Sequence, residues 1–216
     1  MPDLHEIPRK LIDNISKVIV GKKDVIELVV VGLMSNGHVL LEDVPGLGKT
    51  MLSRTLAKSI DANFKRLQFT PDLLPSDVTG VSIYNQKTGQ FEFKQGPIFG
   101  NIILGDEINR TTPRTQSALL EAMQEFSVTV DGVLRKLPEP FFVIATQNPI
   151  EFHGTYPLPE SQVDRFLMQL GVGYPSNTEE VKVLNINMKA SPLEDLKSVV
   201  TIQEILELQK AVTSVH

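Results

Sequence analysis

The residues His38-Val-Leu-Leu-Glu-Asp-Val-Pro-Gly-Leu-Gly-Lys-Thr50 are the strongest indication of the fold class of this chain. Residues 38–41 form a short apolar run that is followed by a Pro-Gly-x-Gly turn, which is typical of a buried strand. Beyond the turn, Leu52, Leu56 and Ile60 recur at four-residue spacing, which predicts a helix. The order of strand, glycine loop and helix is the context that a phosphate-binding loop requires.

The residues of this loop suit the phosphates of a nucleotide. Glycine lets backbone N–H groups approach phosphate oxygens closely, and the helix N-terminus adds the positive end of its dipole. Lys49 supplies a cation for the β- and γ-phosphates, and Thr50 a hydroxyl ligand for Mg²⁺. The strict pattern has glycine where this chain has Asp43. The alternative is a structural glycine turn beside a solvated lysine. The predicted nucleotide-binding residues of the loop are Pro45, Gly46, Leu47, Gly48, Lys49, Thr50 and Met51.

A second apolar strand ends in two carboxylates, Asp106 and Glu107. The C-terminal ends of parallel strands form the ligand edge of a sheet, so Asp106 is expected to face the metal bound by Thr50. Glu107, one residue further out, is the expected base for an attacking water. Because the chain has no guanine-reading Asn-Lys-x-Asp motif, the pair favours ATP hydrolysis. The alternative is a strand that runs out into solvent. The nearby Arg110 and Arg114 are each either a second trans-acting cation or solvated, and the solvated interpretation is favoured.

Polar side chains also mark the ends of two other predicted strands. Asn148 could hold a water or the γ-phosphate in line, or it could simply form a turn before proline. Arg165 is either an arginine finger for the ATP of a neighbouring subunit or half of a surface ion pair with Asp164 or Glu160. The spacing alone does not decide between these readings.

Strands and helices alternate along the chain, which predicts an α/β fold with a parallel five-stranded sheet and helices on both faces. Two segments do not fit this sheet and are predicted to project from it. Ser127–Leu137 is a β-hairpin around Asp131-Gly132, and Gly80–Gly100 is a looser hairpin or loop. The predicted strands are 38–41, 64–68, 101–105, 141–146 and 166–170, and a helix is predicted from about Pro113 to Glu125.

The composition excludes several classes of protein. Cysteine is absent, which excludes a disulfide framework, thiolate metal sites and a cysteine nucleophile. The net charge of -5 argues against sequence-independent nucleic-acid binding. No apolar run reaches the roughly 20 residues of a membrane helix, and the N-terminus lacks the features of a signal peptide. A cytoplasmic location is therefore expected.

Six stretches together resemble the MoxR family of AAA+ ATPases, a family with the P-loop NTPase fold. The resemblance runs from about Val18 to Pro175. It rests on the loop that ends at Thr50, Gln68-Phe-Thr-Pro-Asp-Leu-Leu-Pro-Ser-Asp-Val-Thr-Gly80, Gly96-Pro-Ile-Phe, Asp106-Glu-Ile-Asn-Arg110, Ala145-Thr-Gln-Asn-Pro149 and Leu158-Pro-Glu-Ser-Gln-Val-Asp-Arg-Phe166.

The resemblance implies a role for each candidate residue. Lys49 and Thr50 correspond to Walker A, Asp106 and Glu107 to Walker B, and Asn148 to sensor 1. Arg165 matches the arginine position of the clade that contains magnesium-chelatase motors and minichromosome-maintenance helicases. The two projecting segments correspond to that clade's helix-2 insert and pre-sensor-1 hairpin. Val20 and Gly21 lie where such proteins contact adenine. The implied cofactors are ATP and Mg²⁺.

The family resemblance also implies partners and a domain organisation. Relatives work as ring oligomers, usually hexamers, and mature or activate client enzymes, often with partners that carry von Willebrand factor A domains. Residues 1–175 are expected to form the ATPase core, and residues 176–216 the incomplete start of a helical lid. Within 176–216, Ser176-x-x-Glu179 and Thr201-x-x-Glu204 are capping-box patterns that predict the starts of two helices. Because sensor 2 belongs to that lid, a protein of these 216 residues alone is expected to lack one cation that contacts ATP. A nucleotide-gated binding module without turnover, a nucleic-acid translocase and a metal-chelatase subunit are the alternative functions.

Overall fold

The structure is a computed structural model, and it describes residues 5–42, 48–148, 154–173 and 192–215. Its strands are β1 (Val39–Glu42), β2 (Phe64–Gln68), β3 (Gly80–Asn85), β4 (Gln90–Gln95), β5 (Ile102–Asp106), β6 (Ser127–Val130), β7 (Val133–Lys136), β8 (Phe142–Gln147) and β9 (Met168–Gly171). Its helices are α1 (Glu6–Ser16), α2 (Lys23–Met34), α3 (Lys49–Ser59), α4 (Pro75–Thr79), α5 (Pro113–Glu125), α6 (Glu160–Val163), α7 (Pro192–Asp195) and α8 (Ile202–Thr213), with a 3-10 turn at Ile108–Arg110.

A parallel sheet of five strands forms the centre of the molecule, in the order β2-β5-β8-β1-β9. The prediction of a five-stranded parallel sheet is therefore confirmed. The last strand begins at Met168 rather than Phe166, because residues 163–166 form a turn in which the N–H of Phe166 donates to the carbonyl of Val163. This sheet brings the C-terminal ends of its strands to one edge.

Alternate residues of the central strands face opposite layers of helices. Val39 and Leu41 pack with α1, α2 and α3, whereas Leu40 between them packs with α5 on the other face. Strand β5 repeats the pattern, since Ile103 faces α5 and its two neighbours face the other layer. Both faces of the sheet are thus covered, which explains the continuous apolar runs in the sequence.

Two hairpins project from the sheet, as predicted. Strands β6 and β7 pair around Asp131 and Gly132, which both have positive φ (53° and 74°), the geometry of a two-residue hairpin turn. Strands β3 and β4 form the second hairpin. The guanidinium of Arg135 in β7 lies 3.8 Å from the ring centre of Phe93 in β4, so the hairpins touch each other.

The C-terminal described segment packs on the core rather than standing apart. Val200, Ile205 and Leu208 belong to the same apolar cluster as α1, α2 and α3. The N–H of Val199 donates to the carbonyl of Ser59, and the Gln209 amide to that of Leu33. The predicted boundary between residues 175 and 176, and the predicted capping box at Ser176, lie outside the described residues.

The helices of the described ranges carry no membrane-spanning candidate: each is too short or too polar to cross a lipid bilayer.

Candidate active site

A cleft of about 360 Å³ opens at the edge where the strands of the sheet end. It is lined by the start of α3 and by the last residues of β2, β5 and β8. Six residues that the sequence singled out line it: Gly48, Lys49, Thr50, Asp106, Glu107 and Asn148. Elements far apart in sequence therefore present these side chains to one space.

The start of α3 forms one wall of the cleft. Gly48 precedes the helix with φ 81° and ψ 12°, a left-handed conformation that favours glycine. Its carbonyl accepts the N–H of Leu52, so the first helical turn contains Lys49 and Thr50. The backbone N–H groups of this turn form the positive end of the helix dipole, which suits a phosphate. Residues 43–47, including Pro45, Gly46 and Leu47, lie outside the described residues.

Two protein side chains engage the carboxylate of Asp106, whose side chain is 15% exposed. The guanidinium of Arg66 donates to Oδ2 over 2.6 Å, and the hydroxyl of Thr146 donates to Oδ1 over 2.8 Å. Both are charge-assisted hydrogen bonds, which are short and strong. They fix the orientation of the carboxylate at the end of β5.

Glu107 has an unusual backbone conformation, with φ 59° and ψ 52°. Such left-handed geometry is strained in a residue with a side chain and persists where the surroundings hold it. Here its N–H donates to the hydroxyl of Thr146 over 2.9 Å. Its Oε2 accepts from the amide of Gln68 at 2.9 Å and pairs with the guanidinium of Arg110 at 3.4 Å. The prediction that Arg110 is merely solvated is therefore wrong.

Asn148 lies directly after β8 and is 7% exposed. The side-chain amide of Asn109 donates to its backbone carbonyl over 3.3 Å, and the carbonyl of Asn109 accepts the N–H of Tyr156. Gln116 of α5 donates to the carbonyls of Ile108 and Tyr156. These bonds connect the turn after Glu107 to Asn148 and to Tyr156, and thereby hold Asn148 at the cleft.

Other predicted site residues lie elsewhere in the described part of the chain. Val20, Gly21, Met51 and Arg165 do not line the cleft. Gly21, with φ 73°, lies between α1 and α2, and the neighbouring Lys22 donates to the carbonyl of Gly173 after β9.

Arg165 lies in the turn that follows α6 and has a partly buried side chain. Within the described ranges it makes no ion pair with Asp164 or Glu160, which were its alternative partners. Its guanidinium is therefore not committed to a local surface ion pair.

Sequence reasoning did not assign Arg66, Gln68 and Thr146 to the site, although all three line the cleft. Gln68 ends β2 and stands in register with Asp106. Thr146 lies on β8, the next strand of the sheet, in the Ala-Thr-Gln-Asn stretch of which only Asn148 is a predicted site residue. Polar residues at the ends of parallel strands were the available signal for both. The contact of Arg66 with Asp106 depends on the pairing of β2 with β5, and no local sequence pattern predicts that pairing.

The oxygen donors of the cleft fit Mg²⁺, which prefers a hydroxyl and one or two carboxylates together with phosphate oxygens and water. Thr50 and Asp106 offer such a hydroxyl and carboxylate. Among the described residues there is no group of three or more His, Asp or Glu side chains that could hold a metal ion by itself. A magnesium ion in this cleft would need further oxygen ligands besides these two side chains, such as those of phosphates and water.

Comparison with known proteins agrees with this geometry. The model of a family described as the ATPase family associated with various cellular activities (AAA) matches residues 38–168. Chaperone MoxR1 of Mycobacterium tuberculosis is 45% identical over 208 residues, which cover 96% of this chain and 54% of MoxR1. The chain belongs to the MoxR family of AAA+ ATPases.

Two further matches cover nearly all of this chain. YeaC, an uncharacterised protein of Bacillus subtilis (strain 168), is 61% identical, covering 99% of this chain and 67% of YeaC. The crystal structure of a candidate ATPase from Cytophaga hutchinsonii superposes with a TM-score of 0.88 at 46% identity, covering 98% of this chain and 64% of that one. The fold is therefore that of a P-loop NTPase. The chain spans between about half and two thirds of the length of the relatives named here.

Proposed function

We propose that this MoxR-family chain binds Mg·ATP in the cleft and hydrolyses it within a hexameric ring, and that hydrolysis drives remodelling, maturation or activation of partner proteins. One observation carries the proposal: the start of α3 and the carboxylates of Asp106 and Glu107 line the same cleft. A phosphate-binding helix start beside an acidic pair is the arrangement that hydrolysis of a nucleoside triphosphate requires.

In this proposal each residue has a distinct task. The N–H groups at the start of α3 and the ammonium of Lys49 bind the β- and γ-phosphates. A magnesium ion, when bound between Thr50 and Asp106, would neutralise phosphate charge. Glu107 accepts the proton of the attacking water, and Asn148 holds that water or the γ-phosphate in line. Val20 and Gly21 would contact the adenine.

Assembly is the second part of the proposal. Arg165 does not line the cleft of its own chain. We therefore propose that its guanidinium contacts the ATP bound by a neighbouring subunit of the ring. Such an arginine finger raises the rate of hydrolysis by about 10³–10⁵ where it has been measured. We further propose that residues beyond 175 begin a helical lid, and that client enzymes and von Willebrand factor A proteins are the partners. The name of Chaperone MoxR1 supports a chaperone-like role.

Steady-state phosphate release from the wild type and from Glu107→Gln tests this function. Glutamine keeps the size of the side chain and removes the base, so we expect the wild type to be faster by about 100-fold or more. Binding of a fluorescent ATP analogue, measured in parallel, shows whether the variant still takes up nucleotide. Equal rates in two proteins that both bind nucleotide would contradict hydrolysis by this site.

A nucleotide-gated binding module without turnover is the second candidate. The observation in its favour is that Gln68 and Arg110 both engage the carboxylate of Glu107. While those contacts persist, Oε2 of Glu107 is occupied by two protein donors and is less accessible to an attacking water. Equal phosphate release in the experiment above, together with a nucleotide-dependent change in partner binding, would favour this module.

A further inference from the structure

Arg66 neutralises the carboxylate that the proposed function assigns to the metal. Its Nη2 lies 2.6 Å from Oδ2 of Asp106, and the hydroxyl of Thr146 occupies the other oxygen, Oδ1. Both carboxylate oxygens therefore have a protein donor. A divalent cation, or the water that it carries, needs an acceptor at this carboxylate, so it competes with the guanidinium for the same charge.

The position of Arg66 makes this ion pair displaceable. Its side chain is 48% exposed, whereas that of Asp106 is 15% exposed. Ion pairs with an exposed partner contribute little free energy, and a long arginine side chain on the edge strand of the sheet is free to swing towards solvent or towards a phosphate. A metal–phosphate ligand that brings two positive charges to Asp106 can therefore take the place of Arg66.

The same guanidinium is connected to the candidate base. Nη2 of Arg66 also donates to Oε1 of Gln68 over 2.7 Å, and the amide of Gln68 donates to Glu107 over 2.9 Å. Arg66 thus holds Gln68 in the orientation that keeps its amide on Glu107. Departure of Arg66 removes that restraint.

We propose that Arg66 is a built-in, displaceable counter-ion that occupies the metal-binding carboxylate until a divalent cation arrives with nucleotide phosphates. Its displacement releases Asp106 for the cation and, through Gln68, loosens the hold on Glu107. The cleft thereby couples arrival of the metal to release of the base. This inference rests on the proposed binding of Mg·nucleotide in the cleft.

The test is a Mg²⁺ titration of protein saturated with a fluorescent ADP analogue, which reports metal binding without turnover. Arg66→Gln removes the competing cation, so we expect its half-saturating free Mg²⁺ concentration to fall about three- to fivefold relative to the wild type. Lys65→Gln is the matched control, because it removes the same charge from the same strand on the opposite face. Its half-saturation should stay within twofold of the wild type.

A second variant, Arg66→Lys, tests the same role in case Arg66→Gln does not fold. Arg66→Lys keeps a charge but loses the guanidinium fork, and its half-saturation should lie between those of the wild type and Arg66→Gln. Values within twofold of the wild type for both Arg66 variants, or a higher Mg²⁺ requirement, would overturn the counter-ion role while leaving the proposed function intact. Failure of the wild type to bind the ADP analogue at all would overturn the proposed function and this inference together.

Discussion

The hydroxyl of Thr146 donates a hydrogen bond of 2.8 Å to Oδ1 of Asp106 across two neighbouring strands of the sheet. The same oxygen atom of Thr146 accepts the N–H of Glu107 over 2.9 Å. One buried hydroxyl thus orients the first carboxylate and holds the strained backbone of the second. The two acidic residues are therefore positioned by a residue that does not belong to their own strand.

We predict that Thr146→Val slows ATP turnover by about tenfold or more with little change in ATP affinity. Valine has nearly the same shape, but it leaves the N–H of Glu107 without its acceptor and Oδ1 of Asp106 without the donor from Thr146. Small displacements of catalytic groups are costly. Steady-state phosphate release over a range of ATP concentrations measures both quantities.

Thr115→Val is the matched control for this prediction. Thr115 is equally buried, and its hydroxyl donates to the carbonyl of Leu73, so the change removes a buried hydroxyl at a site away from the cleft. Equal loss of turnover in both variants would point to a general loss of stability rather than to a role for Thr146.

His38 is predicted to make the fold sensitive to acid. Burial lowers its pKa from 6.5 to about 4, although the hydrogen bond to the carbonyl of Met123 acts in the opposite direction. Its Nδ1 accepts the N–H of Val143, which fits the neutral ring only. Because the folded pKa lies below the unfolded one, the stabilisation is complete above pH 6.5 and is lost as the pH falls towards 4.

The expected loss from His38 is about 3 kcal/mol of unfolding free energy across that range. Urea denaturation of the wild type and of His38→Gln between pH 8 and pH 4 measures the free energy of unfolding of each protein as a function of pH. The carboxylates titrate in both proteins, so the difference between the two pH profiles gives the contribution of His38. His5→Gln, at an exposed histidine, should follow the wild type. If His38→Gln loses as much stability as the wild type on acidification, His38 is not the group responsible.

The C-terminal described helix is predicted to be part of the core. Ile205 of α8 is fully buried among residues of the first three helices, so Ile205→Ala should lower the free energy of unfolding by about 2–5 kcal/mol. Val212, on the same helix, is 37% exposed, and Val212→Ala should cost less than about 0.5 kcal/mol. Similar small effects at both positions in chemical denaturation would show that α8 does not pack on the core in solution.

Arg165 is predicted to act on the ATP of a neighbouring subunit. Subunits with Arg165→Ala and subunits with Lys49→Ala should each be inactive alone, because one lacks the finger and the other the phosphate-binding cation. Mixed rings should regain part of the activity, since an intact nucleotide site then meets an intact arginine.

Phosphate release from equimolar mixtures, with ring formation followed by analytical ultracentrifugation, measures this recovery. Arg9→Ala, an exposed arginine on α1, is the control and should retain wild-type activity. Rings that form but show no recovery in the mixture would count against an arginine finger at position 165.

The local patterns of the sequence predicted the sheet, the hairpins and the cleft residues at the start of α3, at the end of β5 and directly after β8. Continuous apolar runs such as Val39–Leu41 identify strands that are covered on both faces, and the turn pair Asp131-Gly132 identifies its hairpin. In each case the physical cause lies within about ten residues of chain.

Features that depend on pairing between distant segments could not be predicted in this way. Arg66 reaches Asp106 only because β2 and β5 pair in a particular register across about 40 residues. Glu107 is held in its left-handed conformation by Thr146 of another strand. The capping box at Thr201 predicted the start of α8, but its packing against α2 depends on contacts such as that of Gln209 with Leu33.

Calorimetric titration with Mg²⁺ and a non-hydrolysable ATP analogue tests the central claim most directly. We expect saturable binding by the wild type, binding weakened at least tenfold in Lys49→Ala, and wild-type binding in Lys23→Ala, an exposed lysine on α2. A flat titration of the wild type, or equal affinity in Lys49→Ala, would contradict a triphosphate site at the start of α3.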